Sequence, residues 1–247
     1  MTYRYVKAPP GFQLAPTLGL RQKFRYVVSL FLITLGVATF TTVAYPLISY
    51  QIVYAPRFQK SDILSPLSQS PIKQARAEDT PTFVDEVINT SLDYTDSASW
   101  FYDTKKPQPA SSVLSYVLSI PKLGIDHAVV RNDHTDLKQS LIHYVGTAMP
   151  GDLGNAVIFG HSVLPQFFNP QNYLTIFSTL HTLRPGDLIE ISADGATYEY
   201  KISQMYEAGP DDLSPLAQVY NARTLTLITC TPPGTYLRRL IIKAYII

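Results

Sequence analysis

The chain has 247 residues, of which 46% are hydrophobic and 12% aromatic, and its formal net charge at neutral pH is +1. This apolar content is sufficient for a substantial buried core. The near-zero net charge excludes the excess of basic residues that is typical of nucleic-acid-binding proteins, and we expect no nucleic-acid partner.

The N-terminal region combines a basic tail with a long apolar segment. Residues 1–25 contain five lysine or arginine residues and no acidic residue, whereas residues 26–48 contain no charged residue. The apolar segment is long enough to cross the hydrocarbon core of a bilayer. Because basic residues flank its N-terminal side, we expect a cytoplasmic N-terminus, a single-pass anchor in the cell membrane and an extracytoplasmic remainder. A cleaved signal peptide and a buried core helix are the alternative interpretations.

Residues 49–110 are rich in proline, serine and other polar residues. This composition predicts an extracytoplasmic stalk between the anchor and the next domain. Within it, apolar residues recur at helical spacing over 83–93, which predicts a short helix. The single tryptophan, Trp100, is expected either to pack on the following domain or to act as a lid over a cleft.

From residue 111 to residue 247 the sequence consists of seven or eight short apolar runs separated by glycine, proline, asparagine and aspartate. This pattern predicts a mostly β domain, either a closed antiparallel-rich barrel or a sandwich. Two segments between the runs, 136–144 and 173–183, have apolar positions at helical spacing and are expected to be short helices.

The only cysteine, Cys230, follows one of these apolar runs. A single cysteine cannot form an internal disulfide, so Cys230 is either a free thiol or pairs between chains. A nucleophilic cysteine needs a partner that handles its proton and a cation or dipole that stabilises developing charge. His161 and Arg239 are the candidates for these two tasks. Since side chains alternate along a strand, Arg239 and Arg238 are expected to lie on opposite faces.

Other candidate residues give weaker signals. Thr229 and Thr231 flank the cysteine and Ser162 follows the candidate histidine, so we predict that these three hydroxyl residues contact the substrate. The remaining histidines do not have the spacing of a metal site. No metal and no cofactor is therefore expected.

Three motifs, in this order, resemble the sortase family. They are Ile-Pro-Lys-Leu-Gly-Ile-Asp at 120–126, the stretch from Gly-Thr-Ala-Met-Pro-Gly to Ile-Phe-Gly-His-Ser at 146–162, and Thr-Leu-Ile-Thr-Cys-Thr-Pro at 226–232 followed by Arg239. The resemblance covers residues 111–247. It implies a closed eight-stranded sortase-type β-barrel with two or three short helices, preceded by the single N-terminal transmembrane helix.

The resemblance also implies a function. Sortases are cysteine transpeptidases that cleave a C-terminal sorting signal of an exported protein through a thioester and transfer the product to an amine, such as a cell-wall peptide or a pilin lysine. By motif, Cys230 corresponds to the nucleophile, His161 to the acid/base and Arg239 to the residue that orients the substrate or stabilises the oxyanion.

The amino-acid sequences of the motifs are most similar to those of pilin-type (class C-like) or related sortases. These often carry an Asp-Pro-aromatic lid and a second membrane helix, and this sequence has neither. Envelope attachment and pilin-type linkage therefore both remain open. Two other hypotheses are an anchored non-catalytic β-barrel that binds a partner, and a cysteine protease that transfers the acyl group to water.

Overall fold

Eight strands form a closed barrel in the computed structural model, which describes residues 19–58, 93–101 and 115–247. The strands are β1 (Ser115–Ile120), β2 (Ile125–Arg131), β3 (Leu141–His143), β4 (Gly154–Phe159), β5 (Leu188–Ala193), β6 (Ala196–Ala208), β7 (Arg223–Thr231) and β8 (Arg238–Ile246). Their order around the barrel is β1-β2-β3-β4-β7-β8-β6-β5. The predicted barrel is confirmed, and the alternative of a sandwich is wrong.

The neighbouring strands β4 and β7 run parallel, and β7 pairs with β8 in the antiparallel direction. All six residues of β4 are buried, as are the last seven of β7. Parallel strands that are covered on both faces have nearly continuous apolar sequences, which explains the unbroken apolar runs at these positions. Strand β5 instead alternates between buried and half-buried residues because only one of its faces meets the core.

The apolar side chains form two clusters on opposite faces of the β4–β7–β8 part of the barrel. The barrel interior contains Ile158, Leu227 and Ile242. The second cluster, which contains Phe159 and Ile228, lies on the other face and includes Cys230. Successive residues of β4 and β7 therefore contribute to different clusters, as the alternation of side chains along a strand requires.

The N-terminal helical region consists of an α-helix, Leu20–Ser49, a π-helical turn, Tyr50–Tyr54, and a final α-helical turn, Ala55–Phe58. Among the described residues, Arg21–Phe58 is the one helix whose length and composition allow it to cross a membrane. Many of its large apolar side chains are exposed, including those of Phe31 and Phe40.

The end of this helical region packs on the barrel. Tyr50 and Phe58 are 2% and 4% exposed and belong to the interior core cluster. The Tyr50 hydroxyl donates to Glu207 Oε1 at 2.7 Å and accepts a hydrogen bond from the Thr231 hydroxyl at the end of β7. Residues 46–247 accordingly form one compact unit.

The structure differs from the predicted stalk in two places. Residues 49–58 continue the helix and contact the barrel, and residues 93–101 also pack on the barrel through Trp100 and Phe101. Apolar aromatic side chains in both stretches gain more from burial than from projecting into solvent. The other parts of the predicted stalk, and the predicted helix at 83–93 except for its last residue, lie outside the described residues.

The prediction of a helix at 136–144 is wrong. The Asp136 carboxylate accepts from the backbone amide of Lys138 at 3.0 Å, and the Leu137 amide donates to the Thr95 carbonyl at 2.8 Å. The segment forms a turn, because an aspartate side chain that accepts from a nearby amide competes with the backbone carbonyl that would bind this amide in a helix. The next residues form the short strand β3, which is buried throughout.

The second expected helix, 173–183, is present only as turns and a short 3₁₀ helix, Leu180–Thr182. The Phe177 amide donates to the carbonyl of His161 at 3.1 Å, and His161 lies outside this segment. A tertiary hydrogen bond thus replaces the pairing that a regular helix would need at that amide.

The buried imidazole of His143 makes the barrel sensitive to acid. His143 is 3% exposed and its Nδ1 lies 2.8 Å from the Tyr116 hydroxyl. Burial lowers the pKa of His143 from 6.5 to about 4. Above pH 6.5 the residue is neutral in both the folded and the unfolded chain. Between pH 6.5 and about 4 only the unfolded chain binds the proton, so the free energy of unfolding falls as the pH falls.

We expect His143→Gln to remove the part of the acid sensitivity that comes from His143, while buried His181, whose pKa burial also lowers to about 4, keeps its own part. At one pKa unit per 1.36 kcal/mol, the parent loses roughly 3 kcal/mol more than the variant between pH 6.5 and pH 4. Urea unfolding of the full chain in detergent, followed by the fluorescence of the single buried tryptophan, measures the difference. His127→Gln, at an exposed histidine, is the control. Equal pH dependence in the parent and His143→Gln contradicts the prediction.

Candidate active site

Three adjacent strands bring the candidate residues together. Cys230 and Arg239 are direct partners in the antiparallel pair β7–β8, so their side chains project from the same face. On the other side of β7, the parallel strand β4 is in register up to Phe159 beside Ile228. Gly160 continues this pairing, because its amide donates to the Ile228 carbonyl at 3.1 Å. His161 comes next in the chain, and Ser162 after it donates to the Cys230 carbonyl at 2.9 Å, so the chain at His161 reaches the end of β7 on the side away from β8.

A backbone carbonyl fixes the orientation of the His161 ring. The distance from His161 Nδ1 to the Leu174 carbonyl oxygen is 2.7 Å. Since a carbonyl only accepts, Nδ1 carries the hydrogen, and Nε2 of the neutral ring is left free to accept a proton. Burial lowers the pKa of His161 below its usual value, and the Leu174 carbonyl partly opposes this effect.

The thiol is also neutral at physiological pH. Cys230 is 2% exposed, and burial raises the pKa of its thiol to about 11, although the positive charge of Arg239 acts in the opposite direction. The low pKa of His161 and the high pKa of Cys230 together give a resting pair of thiol and neutral imidazole. A proton must leave the sulfur before or during any nucleophilic attack.

The guanidinium of Arg239 is held by backbone carbonyl groups. Its Nε and Nη2 donate to the Trp100 carbonyl at 3.2 and 2.8 Å, and its Nη1 donates to the Tyr236 carbonyl at 3.1 Å. Arg238 projects to the opposite face, where it lies 3.4 Å from a carboxylate oxygen of Glu207. The two arginines therefore have the opposite orientations that strand alternation predicts.

Residues 93–101 form a segment, here called the strap, that covers these groups. Trp100 in the strap is fully buried, packs edge-on against Phe159 with ring centres 5.4 Å apart, and lies beside the Arg239 guanidinium. Tyr94 stacks on Tyr236 with ring centres 3.8 Å apart. The strap thus explains why the thiol and the guanidinium are both almost inaccessible to solvent. The expected packing of Trp100 on the following domain is confirmed, and its action as a lid stays a prediction.

The three hydroxyl residues predicted to contact substrate are engaged within the protein. Thr229 Oγ1 donates to the Gly160 carbonyl at 2.8 Å, and Ser162 Oγ donates to the Cys230 carbonyl at 2.9 Å. The Thr231 hydroxyl donates to Tyr50. All three are at most 2% exposed. In this structure they connect the ends of β4, β7 and the helical region.

Sequence reasoning missed several groups that shape the site. The carbonyl groups of Leu174 and Trp100 have no signature in a sequence, because every residue has a carbonyl. Tyr236 had a weak signal, since it follows the Pro-Pro-Gly turn after the cysteine and precedes the arginine pair. Within the described ranges 19–58, 93–101 and 115–247, no group of three or more histidine, cysteine, aspartate or glutamate residues is placed to hold a metal ion.

A comparison with protein families assigns the domain. The family model described as "Sortase domain" matches residues 118–247, which is more than half of the chain. The chain belongs to the sortase family. The matched region begins within β1 and contains the rest of the barrel, including all three candidate residues.

Individual sortases are similar over part of their length. Sortase D of Bacillus subtilis is 25% identical over 126 residues, which are 51% of this chain and 58% of the relative. The match thus spans less than two thirds of that curated relative.

Two solved sortase structures are also similar to part of the chain. The Sortase D5 transpeptidase of Clostridium perfringens is 29% identical, with a TM-score of 0.46 over 54% of this chain and 79% of that one. Sortase A of Corynebacterium diphtheriae is 31% identical, with a TM-score of 0.47 over 55% of this chain and 61% of that one.

Gly160 is required for the placement of His161. A Cβ atom at this position would lie 2.2 Å from the Phe177 ring and 2.7 Å from a methyl group of Leu141. We expect Gly160→Ala to destabilise the fold by about 1–3 kcal/mol, since a packed core cannot accept the extra carbon without a backbone shift. Urea unfolding measures the change. Gly36→Ala, at a helical glycine with no atom within 4 Å, is the control, and equal stability of the two variants contradicts the argument.

The stacked tyrosines hold the strap over the thiol. We expect Tyr94→Ala to increase the alkylation rate of Cys230 by iodoacetamide about 2- to 10-fold, because an aromatic pair contributes about 0.5–1.5 kcal/mol beyond its buried area. Cys230 is the only cysteine, so the reaction has no background from other thiols. Tyr220→Ala, at an exposed tyrosine, serves as control. An alkylation rate in Tyr94→Ala equal to that of the parent means that the tyrosine pair does not keep the strap closed.

Proposed function

We propose that this sortase is a membrane-anchored cysteine transpeptidase that uses Cys230 as nucleophile, His161 as acid/base and Arg239 as the stabilising cation. The observation that supports this assignment best is the pairing of Cys230 with Arg239 across β7 and β8, while β4, on the other side of β7, ends two residues before His161. A nucleophile, a proton acceptor and a cation at one site are the groups that acyl transfer requires.

The first half of the proposed reaction forms an acyl-enzyme. His161 Nε2 takes the thiol proton while the sulfur of Cys230 attacks the carbonyl carbon of the peptide bond. The resulting oxyanion is stabilised by the Arg239 guanidinium. The tetrahedral intermediate then collapses: the C–N bond breaks, His161 gives its proton to the departing amine, and a thioester remains.

The second half reverses the direction of proton movement. A neutral amine attacks the thioester carbonyl and loses a proton to His161. The C–S bond breaks, the sulfur leaves, and the same proton returns from His161 to Cys230. The products are a new amide bond and the original thiol–imidazole pair.

The contacts of Arg239 support its proposed role. Two of its N–H groups already bind the carbonyl oxygen of Trp100, which is chemically the same group as a substrate peptide carbonyl. A substrate that uses this guanidinium must displace the Trp100 carbonyl, so the strap has to move before acylation. Thr229 and Ser162 are better suited to positioning than to substrate contact, because their hydroxyl protons bind the protein next to His161 and Cys230.

The apolar helix supports a location at the cell membrane, with residues 1–25 in the cytoplasm and the barrel outside. The donors we propose are exported proteins with a C-terminal sorting signal of the leucine-proline-x-threonine type. The acceptor is an amine of a cell-wall peptide or of a pilin lysine. Pilin-type linkage and envelope attachment place the same demands on the three reacting groups.

The direct test uses the full chain in detergent with a library of sorting-signal peptides, with and without added amines. We expect a covalent adduct on Cys230, detected by mass, and ligation that depends on the amine. Cys230→Ala should give neither product. Ligation by that variant refutes the mechanism, hydrolysis in excess amine indicates a protease, and binding without reaction indicates a non-catalytic barrel.

Graded variants separate the roles of the other two residues. We expect Arg239→Ala to reduce the acylation rate about 10²- to 10³-fold, as loss of an oxyanion donor does in acyl transfer. Arg238→Ala, at the adjacent exposed arginine, is the matched control and should retain most of the rate. A larger loss in Arg238→Ala than in Arg239→Ala reverses the assignment.

A further inference from the structure

A pocket of about 360 Å³ lies where the end of the helical region meets the barrel. Its walls come from the last helical turn, the segment before β5 and strand β6, and all of them belong to the compact unit 46–247. They include Arg57, Phe58, His181, Leu183, Arg184 and Met205. The described residues that line the pocket thus include two arginines and no carboxylate.

The two arginines of this pocket are exposed, and no carboxylate among the described residues forms an ion pair with either. The Arg57 guanidinium lies over the Tyr54 ring, 5.5 Å from its centre, and a contact with a ring leaves N–H donors for other partners. Asp187 is the acidic residue nearest to Arg184 in the chain. Its carboxylate is already bound by Lys122 at 2.7 Å and by the Arg184 backbone amide at 2.7 Å.

The other lining side chains are neutral and hold the end of the helical region on the barrel. The ring of buried His181 packs edge-on against Tyr54 and Tyr50, with ring centres 4.6 and 5.4 Å apart. Phe58 is buried beside Tyr50, and Leu183 is buried in the same core cluster. Burial lowers the pKa of His181 to about 4, so this ring is uncharged at physiological pH. The charge of the pocket therefore comes from its arginines.

The sequence relates Arg57 to the surface of the proposed membrane. Arg57 is the first charged residue after Arg25, and the 31 residues between them are uncharged. A helix needs about 27–30 residues to cross a bilayer together with both headgroup layers. With the membrane anchor of the proposed function, Arg25 and Arg57 therefore lie at the headgroup layers of opposite leaflets. The pocket that contains Arg57 is then at the level of the lipid phosphate groups.

We propose that this pocket binds the headgroup of an anionic phospholipid, with the lipid phosphate bound by Arg57 and Arg184. This inference rests on the membrane anchor of the proposed function. Guanidinium groups suit the task, because their planar N–H groups form paired hydrogen bonds with phosphate oxygens. Phe58 and Leu183 provide apolar contact for the glycerol backbone and the first carbons of the acyl chains.

The charges of the pocket favour an anionic headgroup over a zwitterionic one. Phosphatidylglycerol has a phosphate and an uncharged alcohol, so it brings no positive charge towards the arginines. A choline or ethanolamine headgroup adds an ammonium ion, and no described residue of the lining has a carboxylate to pair with it. Because Arg57 and Arg184 belong to different elements, the bound headgroup links the end of the helical region to the barrel and stabilises the folded unit.

The test uses this stabilisation, since a ligand that binds only the folded chain raises the midpoint of thermal unfolding. The full chain in mixed micelles of detergent and phosphatidylcholine is titrated with phosphatidylglycerol, and unfolding is followed by the fluorescence of Trp100. The basic residues 21, 23 and 25 also attract anionic lipid. They lie outside the compact unit 46–247, so lipid bound to them does not stabilise the barrel.

We expect phosphatidylglycerol at ten times its half-saturating concentration to raise the midpoint by about 3–6 °C. Arg57→Ala and Arg184→Ala should each raise the half-saturating concentration about 5-fold. Arg223→Ala, at an exposed arginine outside the pocket, is the matched control and should keep the value of the parent. The midpoint without phosphatidylglycerol verifies that each variant is folded.

Three results overturn the inference. They are equal stabilisation by added phosphatidylcholine, equal stabilisation by inorganic phosphate at the same concentration, which indicates a site for a soluble anion, and an unchanged half-saturating concentration in both arginine variants. Each can occur while Cys230 still forms an acyl-enzyme, so each leaves the proposed reaction intact. Extraction of the reconstituted parent from vesicles by alkaline carbonate removes the proposed membrane anchor, and this inference with it.

Discussion

The parallel pairing of β4 with β7 is the constraint on which the whole site depends. It places the residue after Gly160 beside the end of β7, although these positions are far apart in the sequence. The antiparallel pairing of β7 with β8 then sets Arg239 opposite Cys230. Strand register therefore pairs Arg239 with Cys230 and leads the chain at His161 to the same end of β7, where the Leu174 carbonyl orients the imidazole ring.

Burial gives the site its resting state. Both the thiol and the imidazole lose water, so the thiol pKa rises and the histidine pKa falls, and both effects favour the uncharged forms. The only charge in the group, on Arg239, is compensated by carbonyl dipoles, and no carboxylate among the described residues forms an ion pair with it. Carbonyl dipoles neutralise a positive charge less than a carboxylate does, which suits the role proposed for Arg239 once the Trp100 carbonyl is displaced.

The sequence was sufficient for those features that depend on local spacing. The alternation of side chains along a strand predicts that Arg238 and Arg239 lie on opposite faces of β8. The single cysteine at the end of an apolar run indicates that this run, β7, carries the candidate nucleophile. The position of His161 was accessible only through a family resemblance, because contacts between distant strands leave no periodic signal. Strand β3 was mistaken for part of a helix, since three buried residues are too few to establish a period of two.

The sequence did not predict that the strap covers Cys230 and Arg239. This covering depends on the carbonyl of Trp100 and on the stacking of Tyr94, and a backbone group or a lone aromatic residue has no distinctive pattern. Polar, proline-rich composition predicts only a stalk for the stretch that contains these residues. It did not indicate that aromatic residues within such a stretch fold onto the barrel.

The compact unit begins at residue 46, whereas the family match begins at residue 118. A recombinant fragment cut at the start of the match would lack Tyr50, Trp100 and Phe101. The apolar face around Phe159 and Ile228 would then meet water directly. Such a fragment is prone to self-association through that newly uncovered face, so a soluble fragment of this sortase has to retain residues that precede the family match.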